Sequence, residues 1–181
     1  MDVFSHGLWA GAAGRGIDRL WGRRVSAWRM AAWGMFPDVV AFAPGFVWFF
    51  WNIALGTMTV ADLPRPDDVE PAVRDTLPIF RITSMLYNMS HSLVLFFLVS
   101  VIVVAILRRV PWEMGGWLLH ILMDIPTHSY RFYPTPFLWP LSEWKFDGFS
   151  WGTPWFIIVN YSALAIVYFL LWKTRTKKKY E

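Results

Sequence analysis

The chain has 181 residues, a formal charge of +4, no cysteine, and a hydrophobic fraction of 56% that includes 13 tryptophans. That length predicts one domain, and the composition is too apolar for an ordinary soluble one. Disulfides and thiolate metal sites are excluded, and basic residues grouped at the edges of apolar segments mark membrane topology rather than nucleic-acid binding.

In chain order, residues 2–14 (DVFSHGLWAGAAG) read as a short apolar helix with His6 in its first turns. Its glycines and alanines permit close helix approach. No basic region precedes it, so no secretory signal is expected. Residues 15–29 carry five arginines. Residues 25–36 form a second short apolar segment, ended by Pro37-Asp38. Residues 39–58, broken by Pro44-Gly45 and rich in aromatics (FVWFFWNI), read as an interfacial or re-entrant segment. Residues 61–75 form a polar outer loop with five acids. Two segments, 89–107 and 154–172, are each 19 residues long, close to the roughly 20 that cross a bilayer. Residues 112–124 form a further helix, 129–150 an aromatic and proline-rich outer loop, and 173–181 a basic cytoplasmic tail.

The expected architecture is an all-α integral membrane protein. It is a single membrane domain over 1–181, a bundle of about four to six transmembrane or half-membrane helices with an interfacial aromatic segment. Most Lys and Arg fall in 15–29, 108–109 and 173–179. If all three clusters are cytoplasmic, His6, Asp38, His91, His120, Asp124 and His128 lie at the outer ends of their segments. That requires 39–58 not to cross. A conventional crossing by 39–58 is the competing topology and moves Asp38 away from the others.

The chain has only four histidines, and each lies in or beside an apolar segment. The stretch 117–147 holds His120-x-x-x-Asp124-x-x-x-His128. Residues four apart lie about 40° apart around a helix, so His120 and Asp124 point the same way. Imidazole and carboxylate are ligands that zinc or manganese takes. Pro126 predicts that the helix ends near Asp124 and that His128 folds back from a loop. A single membrane histidine is commonly a hydrogen-bonded bundle contact. Four of them with two intramembrane aspartates point instead to a metal site, because ionisable groups there are usually functional.

The motifs Ser5-His6-Gly7, Phe36-Pro37-Asp38, Ser90-His91-Ser92-Leu93, His120-x-x-x-Asp124 with Thr127, and Phe137-Leu138-Trp139-Pro140-Leu141-Ser142 occur in this order over most of the chain. In order and spacing it resembles the YdjM-like inner-membrane family assigned as metal-dependent hydrolases, itself similar to zinc-dependent phospholipase C. Two of that family's positions differ. Val40 stands where a second Asp follows Pro-Asp, and Leu86-Tyr87-Asn88 stands where His-Arg-Gly precedes Thr-His-Ser. A single metal and a site that no longer turns over are both open. His128, where proline is common, is a replacement ligand on one reading.

The resemblance implies a divalent cation, zinc or manganese, held by His6, His91, His120 and Asp124, with Asp38 a ligand or general base. A Pro-Asp turn at a helix end is the alternative for Asp38. His128 reads as ligand, support to a ligand, or lone polar contact. Arg131 and Lys145 read as phosphate or headgroup contacts, or as solvated interfacial anchors. The implied activity is hydrolysis of an ester or phosphodiester in a lipid or lipid-linked substrate at the bacterial inner membrane. The alternative is a non-catalytic membrane protein with a structural metal, or an accessory subunit of a membrane complex. A transporter is disfavoured, because no repeat or matched pair of broken helices occurs.

Overall fold

The computed structural model describes residues 1–22, 25–62, 78–131 and 133–177. Among them are six α-helices and no extended sheet: α1 (Val3–Trp21), α2 (Ala27–Ala54), α3 (Pro78–Ser90), α4 (Leu93–Leu107), α5 (Gly115–Thr127) and α6 (Pro154–Lys177). Two of these, α2 and α6, are long and apolar enough to cross a membrane, and α3 with α4 passes the same test as a bent pair. The expected polar loop falls mostly on residues outside those described. Its first two residues belong to a short 3-10 turn, Val60–Asp62.

The structure changes four boundaries. Residues 25–36 and 39–58 are not two segments. They are one 28-residue helix, α2, which runs through Pro37 and Pro44. A proline inside a helix removes one ladder bond and loosens the turn before it. Here neighbouring helices answer the loosened turn. Gly34 O accepts from His120 Nδ1 at 2.7 Å, and Pro37 O accepts from Ser90 Oγ at 3.2 Å. The break expected at Pro44-Gly45 is absent too, since α2 continues to Ala54.

Residues 89–107 are not one continuous helix either. The helix ends at Ser90 and restarts at Leu93, with a bend of 63°. Ser92 sits at the break in extended conformation, and its hydroxyl caps α4 by accepting from Leu95 N at 3.1 Å. The first helix extends well past residue 14, to Trp21. Finally, α5 continues through Pro126 to Thr127 rather than ending near Asp124.

Small residues set how closely the helices pack. A Cβ added at Gly34 would meet Ala10 Cβ at 2.6 Å and His6 O at 2.8 Å. One added at Gly116 would meet Met30 O at 2.2 Å, so α5 crosses α2 with almost no gap. Around that crossing Trp33, Phe36, Phe96 and Trp117 form an aromatic core, with Trp33 and Trp117 stacked at 6.1 Å. A second cluster, Ala41, Phe42, Tyr87 and Tyr133, includes the α2 residues between Pro37 and Pro44.

Parallel to α1 runs α6, joined by Trp9 Nε1 to Asn160 Oδ1 at 2.9 Å, Tyr168 OH to Leu8 O at 2.9 Å, and Arg19 to Leu171 O at 2.7 Å. Ser26 N donates to Glu113 Oε1 at 3.5 Å, tying the turn after Arg108-Arg109 to the start of α2. The segments bearing the three basic clusters therefore share one end of the bundle. Much of α4 and α6 presents exposed Phe, Ile, Val, Leu and Trp, as helices facing lipid do.

The crossing at Gly116 gives a matched pair of variants. Gly116→Ala is expected to cost about 1–3 kcal/mol by overpacking, read as a lower thermal midpoint in detergent. Gly16→Ala, where an added Cβ meets nothing within 4 Å, should leave the midpoint unchanged or slightly raised.

Candidate metal centre

Every helix of the bundle except α6 delivers a group to one buried point, or stands next to one that does. His6 comes from the second turn of α1. That turn is fixed by Asp2, whose carboxylate accepts from Ser5 N at 3.0 Å and from Ser5 Oγ at 2.6 Å. Asp38 comes from the middle of α2, one residue after Pro37. His91 sits at the α3–α4 break, His120 and Asp124 one turn apart on α5, and His128 directly after α5 ends. His6, His91, His120 and Asp124 are at most 1% exposed, and Asp38 is 5% exposed.

One expectation of position is corrected. His6, His91, Asp124 and His128 lie at or near helix ends. Asp38 does not, because α2 continues past it for four more turns, and nor does His120, which lies in the middle of α5. The bend between α3 and α4 and the α2 turn loosened by Pro37 bring the groups together instead.

Asp38, His91, His120 and Asp124 form a compact donor set whose ligand atoms all lie within 4.8 Å of one another. His91 Nε2 is 3.4 Å from Asp38 Oδ1 and 3.5 Å from Asp124 Oδ2. His120 Nε2 is 3.7 Å from Asp38 Oδ1, 3.1 Å from Asp124 Oδ2 and 3.0 Å from His91 Nε2. Around a tetrahedral zinc with bonds of about 2.0–2.2 Å, donors sit roughly 3.3–3.6 Å apart. The spacings bracket that value.

Hydrogen bonding behind the rings fixes which nitrogen faces the centre. His120 Nδ1 lies 2.7 Å from Gly34 O, His128 Nδ1 lies 2.8 Å from Tyr133 O, and His91 Nδ1 lies 3.1 Å from Tyr87 O. A carbonyl only accepts, so Nδ1 of His120 and His128 carries hydrogen, as does that of His91 when Ser90 Oγ, 2.9 Å from it, gives its own hydrogen to Pro37 O; in a neutral ring the lone pair is then on Nε2. Anchoring of this kind is what metal-binding histidines use to hold ring and tautomer. Two such lone pairs facing each other at 3.0 Å, as in His91 and His120, are favourable only with a cation or a proton between them.

The second oxygen of Asp124 faces a different group. His6 Nε2 is 2.9 Å from Asp124 Oδ1, and His128 Nε2 is 3.4 Å from it. The Met1 amino nitrogen pairs with the same oxygen and lies 2.9 Å from His128 Nε2. His6 stacks on His120 at 3.6 Å between ring centroids. Neither His6 nitrogen makes a hydrogen bond, nor do Asp38 Oδ2 and Asp124 Oδ2. Buried polar atoms are almost always paired. Their concentration around one point fits a bound cation.

The loop after α5 closes one side of the centre. Gly148 N, Phe149 N and Trp151 N donate to His128 O, Pro126 O and Thr127 O at 2.9–3.1 Å, satisfying the last carbonyls of α5. A Cβ at Gly148 would meet Pro126 O at 2.2 Å, so only glycine permits that approach. Arg131 is exposed on this loop, and Lys145 is half-buried with its carbonyl accepting from Tyr130 OH at 2.9 Å. Both therefore border the site rather than enter it.

Sequence reasoning did not single out Tyr87. Its ring stacks on His91 at 3.8 Å, and its hydroxyl donates to Tyr133 O at 2.8 Å, the carbonyl that also anchors His128. Nor did it find Trp117, whose Nε1 donates to Ser90 O at 2.6 Å and steadies the α3–α4 break. The one available signal was spacing: Tyr87 is one helical turn before His91.

No family model, curated protein or solved structure matches this chain.

Tyr87→Phe keeps the ring on His91 and removes one buried hydrogen bond. The expected cost is about 1 kcal/mol, seen as a lower thermal midpoint, with the helical circular dichroism unchanged.

Proposed function

We propose that this chain is a membrane-bound, metal-dependent hydrolase of the YdjM-like kind, acting on an ester or phosphodiester in a lipid or lipid-linked substrate. The observation that carries this reading is the convergence of His91 and His120 Nε2 with the Asp38 and Asp124 carboxylates at metal-ligand spacing. Asp38, His91, His120 and Asp124 would hold the cation, with zinc the best fit to a His/Asp set of four and manganese next. A divalent cation there lowers the pKa of water and offsets charge on an ester or phosphoryl oxygen.

The chain's own groups have distinct tasks. Gly34 O and Tyr87 O hold the His120 and His91 rings in place. Asp38 Oδ2, buried and without a hydrogen-bond partner, is positioned to accept a proton from water as general base. His128 steadies Asp124 through Oδ1, as ligand or as support. Arg131 and Lys145, on the loop bordering the site, suit a phosphate or headgroup.

The setting supports a lipid substrate, because the site lies among helices whose outer faces are apolar. With the basic end of the bundle cytoplasmic, the protein is multi-pass in a bacterial inner membrane with the site toward the outer face.

A second reading rests on burial. The donor residues are nearly inaccessible, and closed sites are typical of structural metals, whereas catalytic ones keep an open position. The cation would then pin α2, α5 and the α3–α4 break together in a non-catalytic protein or accessory subunit.

Elemental analysis of the detergent-purified protein is expected to give near-stoichiometric zinc or manganese. His120→Ala/Asp124→Ala should lose it while remaining inserted. Metal content unchanged in that variant would overturn the ligand assignment. Chelation of the wild type should lower its thermal midpoint, because a ligand that binds only the folded state stabilises it. Turnover of phosphodiester or lipid ester substrates by the metal-loaded protein supports the hydrolase; stoichiometric metal without turnover supports the structural reading.

A further inference from the structure

Both α5 and α6 pack on α1, and between them a cleft of about 590 Å³ remains, lined by Trp9, Ala12, Ala13, Gly16, Leu119, Met123, Val167 and Leu171. The small residues of α1 make it. Ala12, Ala13 and Gly16 leave room where larger side chains would close the junction, and a Cβ built at Gly16 meets nothing within 4 Å. Along α1 the lining runs from Trp9 to Gly16, about 10 Å of helix. The volume is that of a small-molecule site, in the range of about 300–1,000 Å³. Every lining side chain is apolar except at the Trp9 indole N–H, which is already donated to Asn160.

One end of this cleft is positively charged. Arg19, one turn beyond Gly16, donates to the carbonyl of Leu171, itself a lining residue, and to Thr174 Oγ1. Its guanidinium therefore stands at the mouth, with two of its five N–H donors engaged. Arg15 lies over the Tyr168 ring at 5.6 Å, one turn before Arg19 on α1. An apolar slot that ends at arginines matches a long alkyl chain that ends in an anion.

We propose that this cleft binds one acyl chain of an anionic phospholipid, with the phosphate at Arg19 and Arg15. Helices flanking the cleft have lipid-facing composition, and basic pockets between such helices suit anionic headgroups. The lipid here bridges α5 and α6, which otherwise meet chiefly through α1. It is separate from the metal centre and does not depend on the hydrolase reading.

The test is native mass spectrometry of the full chain in detergent, titrated with phosphatidylglycerol or phosphatidylcholine of the same chain length. Wild type is expected to retain one phosphatidylglycerol per chain, with at least a tenfold preference over phosphatidylcholine. Gly16→Phe fills the open space and should abolish retention of both. Arg19→Gln keeps the slot and should remove the preference while leaving weak retention of both lipids. Circular dichroism and metal content serve as fold controls, since neither residue touches the metal centre. Equal retention of the two lipids by wild type, or full retention by Gly16→Phe, would overturn the proposal. So would a dimer that Gly16→Phe dissociates, because the cleft would then be filled by a second copy of the chain.

Discussion

The carboxylate of Asp124 is the constraint around which this bundle is arranged. It is fully buried in an apolar helix, and burying a charge without compensation is far costlier than any single packing contact. No lysine or arginine side chain pairs with it among the described contacts. Four imidazoles surround it, two beside each oxygen, and where Nε2 faces it with a lone pair, as in His91 and His120, only a shared cation or proton offsets the charge. Four histidines from four separate segments have to reach one residue, and this fixes how α1, α5 and the α3–α4 break sit against α2.

Meeting that demand requires backbone that is not ideally helical. Pro37 loosens the α2 ladder beside Asp38, and the Gly34 carbonyl then takes the His120 ring. The α3–α4 bend turns His91 inward, and Ser92 caps the restarted helix. Extended backbone after α5 sends the His128 ring back, while the 148–151 segment satisfies the carbonyls that α5 leaves open. The departures at Pro37, at the α3–α4 bend and after α5 thus lie beside groups of the centre, and donors from other segments reach Gly34 O, Pro37 O, Pro126 O and Thr127 O. Without those donors the same breaks would leave unpaired backbone groups in an apolar interior, which is unfavourable by several kcal/mol per group.

Small residues set how closely the helices approach at their crossings. Gly34 and Gly116 let three helices approach near the centre. Gly16, by contrast, has nothing opposite it. The same residue type closes one interface and opens the cleft at another, depending on what the partner helix presents.

Much of the centre was legible in the sequence. Histidines confined to apolar segments, and the four-residue spacing of His120 and Asp124, follow from helix periodicity and the high cost of membrane charge. Those rules pointed to His6, Asp38, His91, His120, Asp124 and His128, of which Asp38, His91, His120 and Asp124 form the compact donor set while His6 and His128 stand at the other oxygen of Asp124. Helix boundaries were less legible. Pro37, Pro44 and Pro126 read locally as ends, yet α2 and α5 run through them, while the uninterrupted apolar run 89–107 breaks. Local propensity cannot say whether a freed carbonyl will find a donor on another helix. By itself, the sequence determined the helical class, the apolar character and the type of chemistry, because these depend on residue type and short-range periodicity. Only the tertiary structure decided which helices continue, which nitrogen of each histidine faces inward, and that Asp124 presents its two oxygens to two different pairs of rings, because these depend on contacts between residues far apart in the chain.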